Sequence, residues 1–205
     1  EYSIDAIAWY ENDGASPPTF TPHIIPSAAD GAYAIETADV DGDGDLDVLS
    51  ASREDDTVAW YENDGGSPPT FAEHLITTAA DTAESVFAAD VDGDGDLDAL
   101  FAAMGSNQVA WAENLNGDGT GWTLHDVWYT AYGSPHTVYA ADMDGDGDAD
   151  VLVAFAVADE VTWRENLDGA GTLWAYRATA ISADSTELLQ VAYLEGDGDG
   201  DIAVV

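Results

Sequence analysis

The stretch D-V-D-G-D-G-D-L-D occupies residues 39–47, and it recurs unchanged at residues 90–98. A third copy, D-M-D-G-D-G-D-A-D, occupies residues 142–150, so successive copies start 51 and 52 residues apart. A period of about 50 residues is typical of propellers, solenoids and other arrays that repeat one supersecondary unit. This acidic nonapeptide therefore marks a structural unit that recurs along the chain.

The spacing of the carboxylates within the nonapeptide predicts a calcium site. Asp at positions 1, 3 and 5 turns its oxygens toward one centre, and calcium is a hard cation that prefers oxygen ligands. Gly at position 6 permits a left-handed turn, position 7 offers its backbone carbonyl, and the Asp at position 9 closes the cage. The three predicted sites consist of Asp39, Asp41, Asp43, Asp45 and Asp47; of Asp90, Asp92, Asp94, Asp96 and Asp98; and of Asp142, Asp144, Asp146, Asp148 and Asp150.

A fourth, degenerate copy, Y-L-E-G-D-G-D-G-D, occupies residues 193–201. Tyr193 stands at position 1, so this copy has lost one carboxylate and is expected to bind calcium more weakly. Its remaining predicted ligands are Glu195, Asp197, Asp199 and Asp201.

An EF-hand loop begins in the same way, but it needs a bidentate Glu at position 12 and a helix on each side. Position 12 is Ser50, Phe101, Val153 or Val204 in the four copies, and the flanking residues form short apolar runs without helical period. The sequence therefore predicts a calcium loop between β-strands and excludes an EF-hand.

A second signature keeps the same step along the chain. A-W-Y-E-N-D-G occurs at residues 8–14 and 59–65, and shorter versions, A-W-A-E-N and T-W-R-E-N, occur at residues 110–114 and 162–166. The Trp is predicted to pack between neighbouring sheets, while strand alternation places Tyr10 and Tyr61 on the opposite, variable surface. The Glu-Asn pair is predicted to fix a hairpin through hydrogen bonds. A hydrogen-bonding residue follows each Trp by fourteen positions, namely His23, His74, His125 and Arg177.

Each unit reads as four short strands, which is the size of a propeller blade. We therefore predict an all-β chain, a β-propeller built from four roughly 51-residue four-stranded blades. The single repeat region, residues 1–205, divides into units 26–76, 77–127 and 128–179, and into a split unit formed by 180–205 plus 1–25. The split unit fits a closed four-bladed ring, a longer head-to-tail array and a four-blade fragment of a larger propeller equally well.

The D-x-D-G-D-G-D-x-D loop, the apolar strand after it and A-W-Y-E-N-D-G followed by F-x-x-H-x-I resemble the FG-GAP/VCBS repeat of integrin α-subunit heads and many bacterial surface proteins. The resemblance covers the whole chain. It implies β-propeller blades whose connecting loops bind calcium through the aspartates named above. Propellers of this family commonly have seven blades, whereas this chain carries four repeats.

Charge excludes several partners. The chain has 42 acidic and 3 basic residues, and its formal net charge is −39. Nucleic acids and anionic membrane surfaces bind through Lys and Arg, so neither is an expected partner. No apolar run has the length of a membrane span, so no membrane insertion is expected.

The expected role is structural or adhesive. The sequence has no G-x-S-x-G, no Cys nucleophile, no Gly-rich phosphate loop and no H-E-x-x-H, so we predict that the protein is not an enzyme. Calcium loops of this kind fill at extracellular calcium levels, which predicts a secreted or cell-surface protein. The expected partners are an extracellular protein, a glycan or further copies of the chain assembled into fibres, because strands beside the seam could pair between copies. The alternative function is that of a carbohydrate-binding lectin.

Overall fold

The structure is a computed structural model that describes residues 6–129, 133–157, 160–182, 189–192 and 201–204. The described residues form β-strands joined by short loops, and no helix among them has the length and apolar character needed to cross a membrane. The strands are β1 Ile7–Asn12, β2 Phe20–Ile25, β3 Ala32–Ala38, β4 Asp47–Ser52, β5 Thr57–Asn63, β6 Phe71–Thr77, β7 Ala83–Ala89, β8 Asp98–Ala103, β9 Gln108–Asn114, β10 Trp122–Tyr129, β11 Pro135–Ala141, β12 Asp150–Phe155, β13 Glu160–Asn166, β14 Trp174–Ser182, β15 Leu189–Ala192 and β16 Asp201–Val204.

Three antiparallel sheets of four strands form the middle of the chain. Blade 1 is β3–β4–β5–β6, blade 2 is β7–β8–β9–β10 and blade 3 is β11–β12–β13–β14. The strands follow each other in chain order as a meander, and each predicted calcium loop connects the first strand of a blade to the second. The predicted all-β fold of four-stranded blades is confirmed, and the fourth strand of each blade runs slightly past the predicted unit boundary.

The second strand of each blade is buried along its whole length and is mostly apolar. All six residues are buried in each of β4, β8 and β12. Their polar residues, such as Asp47 and Ser50, are buried as well, so both faces of each strand are covered. The core therefore lies between successive sheets, where apolar side chains of neighbouring blades interdigitate.

The fourth unit is present as two separate half-sheets. The N-terminal half-sheet, β1–β2, packs through Ile7 and Ile25 against Val48, Ala59 and Tyr61 of blade 1. The C-terminal half-sheet, β15–β16, packs through Ile202 against blade 3. In the described part of the chain these half-sheets lie in different sheets, so β16 and β1 are not hydrogen-bonded to each other.

Candidate metal centres and the contacts between blades

Three loops bring their first three aspartates together. In each loop the carboxylate oxygens at positions 1, 3 and 5 lie within 4.8 Å of one another. The groups are Asp39, Asp41 and Asp43; Asp90, Asp92 and Asp94; and Asp142, Asp144 and Asp146. These are the residues that the spacing of the nonapeptide predicts to converge.

The turn at position 6 takes the left-handed conformation that the sequence predicts. Gly44, Gly95 and Gly147 have φ values of 97°, 99° and 98°. Their amides donate to the position 1 carboxylates at 3.1, 3.1 and 3.0 Å. A side chain would be strained at this φ, so Gly is needed for the loop to wrap around the position 1 residue.

Position 7 directs its side chain away from the cluster. The carboxylates of Asp45, Asp96 and Asp148 lie against a glycine of the loop between the third and fourth strands, where a Cβ atom has no room. The position 7 side chain is therefore used in packing, which agrees with the predicted use of its backbone carbonyl at this position.

Position 9 joins two strands to the loop. Asp98 is buried, its Oδ2 accepts from the amide of Val91 at 2.9 Å, and its Oδ1 accepts from the amide of Asn114 at 2.9 Å. Asp47 and Asp150 make the same pair of contacts in their blades. Both oxygens thus hold backbone amides, and these three residues tie the start of the loop to the third strand. These contacts were not predicted from the sequence, because the pairing of the strands decides which amides face the carboxylate.

The electrostatics of the loops favour a bound cation. Burial raises the pKa of Asp92, and the adjacent Asp94 carboxylate raises it further. Burial and like-charged neighbours raise the pKa of Asp41 and Asp144 in the same way. Oδ1 of Asp39 is buried and has no hydrogen-bond partner among the described residues. A divalent cation would neutralise these clusters and satisfy that oxygen, so the residues fit calcium.

The fourth loop lies mostly outside the described residues. Tyr193, Glu195, Asp197 and Asp199 fall in that part, whereas Asp201 is the first residue of β16 and pairs with Ala192. The expected weak fourth site therefore stays a prediction.

The Asn that follows each Glu in the repeated signature bonds to a neighbouring blade as well as to its own hairpin. The sequence predicted only the hairpin contact. Nδ2 of Asn114 in blade 2 donates to the carbonyl of Val40 in blade 1 at 3.0 Å, and Nδ2 of Asn166 in blade 3 donates to Val91 in blade 2 at 3.0 Å. Val40 and Val91 occupy position 2 of the predicted calcium loops. Each of these asparagines therefore joins its blade to the loop of the preceding blade.

The recurring Trp stacks on the His, and the His bonds to the Glu, in blade 1, in blade 2 and in the N-terminal half-sheet. The rings of Trp60 and His74 stack at 4.7 Å, and Nε2 of His74 lies 2.8 Å from Oε2 of Glu62. The same arrangement occurs around Trp9 and Trp111, and Arg177 pairs with Glu165 in blade 3. The predicted hydrogen-bonding role of the Glu and His positions is confirmed, because the pair clamps the third strand to the fourth.

Tyr10 and Tyr61 were both expected at the surface, and only one of them lies there. Tyr10 is 57% exposed, but Tyr61 is fully buried, so the surface position predicted for Tyr61 is wrong. The side chain of Tyr61 packs under the N-terminal half-sheet, and its hydroxyl lies 3.3 Å from Oγ of Ser50. Trp60 and Trp111 are buried as predicted, whereas Trp9 and Trp163 are partly exposed.

The comparison with protein families gives three matches to the FG-GAP-like repeat, at residues 2–50, 39–101 and 92–153. The chain belongs to this family. These FG-GAP-like matches cover most of the chain and include the three complete acidic loops, so the predicted membership is confirmed. No curated protein matches the chain.

Among solved structures, the chain is similar to an Agrocybe aegerita lectin described as recognising non-reducing terminal N-acetylglucosamine. The two share 20% sequence identity with a TM-score of 0.64, and the match covers 98% of this chain and 60% of the lectin. This similarity shows a β-propeller fold. The chain therefore spans about 60% of the length of that propeller.

Proposed function

We propose that this FG-GAP-like chain is a secreted, calcium-stabilised β-propeller repeat protein with a structural or adhesive role and without catalytic activity. The observation that carries the proposal is the convergence of three aspartates in each of three loops, within 4.8 Å, beside a buried Asp39 oxygen that has no other partner in the described residues. Such a set of hard oxygen ligands suits calcium better than softer metals.

The proposed role of calcium is mechanical. The formal net charge of −39 opposes compaction, and the loops concentrate that charge. A cation held by the triad would remove the local repulsion and fix the connection between the first two strands of a blade. Because binding requires the folded loop, the binding free energy would add to the stability of the fold.

Calcium removal tests this role. We expect chelation to lower the melting temperature and to change Trp fluorescence, and added magnesium to restore little because it requires a smaller octahedral shell. Isothermal titration calorimetry with calcium should show binding that is reduced by one site in Asp92→Asn. Glu54→Gln removes one exposed carboxylate outside the loops and should leave the stoichiometry unchanged. Unchanged melting in chelator would contradict the proposal.

A second candidate function, carbohydrate binding, is favoured by one groove. It has a volume of about 410 Å³ and lies between the N-terminal half-sheet and blade 1. Trp9, His23 and Phe71 line it together with proline side chains. Flat aromatic faces beside polar groups suit the apolar faces and hydroxyls of a sugar. Glycan-array binding that is lost in Phe71→Ala and retained in Tyr10→Ala, an exposed aromatic outside the groove, would support this candidate.

A further inference from the structure

One arginine is buried between blades 2 and 3, and no carboxylate among the described residues pairs with it. Arg164 lies on β13 and is 9% exposed. Its Nε is a buried donor without an acceptor in the described part of the chain. The other two arginines, Arg53 and Arg177, each pair with a glutamate. In a chain with 42 acidic residues, an unpaired and buried arginine is therefore an exception.

Two aromatic rings hold the guanidinium of Arg164. Its Cζ lies 3.7 Å from the ring centroid of Trp128 on β10 and 4.8 Å from that of Tyr176 on β14. Burial removes hydration from the charged form and lowers the pKa of Arg164. A cation–π contact offsets only part of the cost of removing a charge from water. The two rings therefore position the guanidinium but do not replace an anionic partner.

The same face of β13 carries a second buried donor. Asn166 bonds to Val91 of blade 2, which shows which face of β13 is turned toward that blade. Strand alternation places Thr162 and Arg164 on this face. Oγ1 of Thr162 is buried and has no hydrogen-bond partner among the residues that the structure describes. Buried donors without acceptors are costly, so we expect an acceptor from outside the chain at this junction between two complete blades.

The fold does not need a cation at the position of Arg164. Tyr61 occupies the equivalent position in blade 1, and Ala112 occupies it in blade 2. The flanking aromatic residues also differ from their equivalents, because Thr77 and Leu124 stand at these two positions between blades 1 and 2. Three side chains thus depart together from the repeat at a single junction, which favours a role other than holding the blades together.

We propose that Arg164 binds the carboxylate group of a ligand whose adjacent apolar face packs against Tyr176. The planar guanidinium presents its N–H groups as a fork that matches the two oxygens of a carboxylate. Tyr176 is 50% exposed and Trp128 is partly exposed, so the rings extend to the surface where a ligand arrives. Their flat faces suit the apolar side of a sugar acid or of an aromatic acid. None of these residues belongs to a predicted calcium loop or to the groove beside Trp9, so the proposal goes beyond the functions proposed above.

Titration with sodium glucuronate tests the site, and glucose is the neutral counterpart that lacks the carboxylate. A buffer with calcium and about 0.15 M salt screens distant acidic residues, because the Debye length is then about 8 Å. The 3 basic residues of the chain are all Arg, so NMR can resolve their Nε–H signals. We expect glucuronate to shift the Arg164 signal and glucose to leave it unchanged. A signal that neither glucuronate nor benzoate shifts would overturn the proposal.

Two further carboxylates identify the rest of the ligand. Benzoate carries the same charged group on an aromatic ring, so tighter binding of benzoate or of glucuronate separates an aromatic acid from a sugar acid. Acetate has almost no apolar face and should bind more weakly than the better of the two. Acetate that binds equally tightly would contradict the contact with Tyr176.

Substitutions separate ligand binding from a structural role. Arg164→Gln should weaken binding by about tenfold or more, and Arg164→Lys should also weaken it because the fork is lost. Arg177→Gln makes the first change at a paired arginine of the same blade and should leave binding unchanged. Arg164→Met removes the unpaired charge and keeps an apolar stem, so the melting temperature without ligand should stay equal or rise. A marked fall in that temperature would assign Arg164 to the fold and contradict the proposal.

Discussion

The same seven residues, A-W-Y-E-N-D-G, occur in the N-terminal half-sheet and in blade 1, but their environments differ. In blade 1, Trp60 and Tyr61 are 1% and 0% exposed. In the half-sheet, Trp9 is partly exposed and Tyr10 is 57% exposed. Both copies form a strand that pairs with the following strand in the same register. Local sequence therefore determines the hairpin, while neighbouring sheets determine the burial.

Strands in the complete blades have more neighbours than strands in the N-terminal half-sheet. β5 has a strand on each side and a sheet over each face, whereas β1 pairs with β2 alone among the described strands. Each repeat buries its apolar face only against its neighbours, so a copy of the motif that lies between two sheets is buried more fully than a copy beside one. The following predictions test this difference between the complete blades and the half-sheets, from the largest expected effect to the smallest.

The largest difference is expected for the repeated Trp. Trp60→Ala should lower the free energy of unfolding by about 3 to 5 kcal/mol, because it leaves a cavity between blades 1 and 2. Trp9→Ala should cost about half as much, because its side chain is partly exposed. Denaturant titration of dilute protein, with calcium present, measures both values. Equal losses would show that the half-sheet is covered as completely as blade 1.

The Asn of the same signature should show the next largest contrast. Asn114→Ala removes the bond to Val40 and leaves buried polar groups unpaired, so we expect a loss of about 2 to 3 kcal/mol. Asn12 is exposed, and its side chain accepts one bond, from Gly14. Asn12→Ala should therefore cost about 0.5 kcal/mol in the monomer. A large loss at Asn12 in dilute protein would contradict the assignment of this residue as exposed.

The buried aspartates at position 9 of the three loops predict that stability depends on pH. Burial raises the pKa of Asp98 to about 7 and those of Asp47 and Asp150 to about 6, although their bonds to backbone amides oppose the shift. The folded protein then binds protons more tightly than the unfolded chain. This contribution to stability is present below the unfolded pKa and is lost as the pH rises through the folded pKa.

Calcium-depleted protein should consequently melt about 5 °C higher at pH 5.5 than at pH 8. Asp98→Asn should reduce this difference, because Asp98 has the most strongly raised pKa of the three. Saturating calcium should reduce or reverse the trend, since protons compete with the cation for carboxylates. Differential scanning calorimetry at both pH values gives the comparison. A melting temperature that rises from pH 5.5 to pH 8 without calcium would contradict the raised pKa values of these groups.

The smallest effect is expected at the repeated Tyr. Tyr61→Phe removes a buried hydroxyl 3.3 Å from Ser50 and should cost about 1 kcal/mol. Tyr10→Phe should be neutral within about 0.5 kcal/mol, because its ring is mostly exposed. Thermal melts of both variants provide the measurement. A neutral Tyr61→Phe would mean that water satisfies the Ser50 hydroxyl equally well.

Much of the fold and of the candidate site could be predicted from local patterns. The period of the acidic loop predicted the blades, and the spacing of aspartates 1, 3 and 5 predicted which carboxylates converge. The Glu and His positions were predicted to form hydrogen bonds, and they bond to each other. Two contacts could not be predicted: the bonds from backbone amides to the Asp at position 9, and the bond from Asn114 to the carbonyl of Val40. Both depend on which backbone groups lie opposite a side chain after the sheets have packed.

The sequence by itself determined the repeat, the strand order within a blade and the aspartate triads. These follow from short-range rules of turn geometry, strand alternation and ligand spacing, which act within about 50 residues. Only the tertiary structure decided which copy of a motif is buried, because burial depends on the sheet that packs against it. Identical residues thus became a core in blade 1 and an exposed edge in the N-terminal half-sheet.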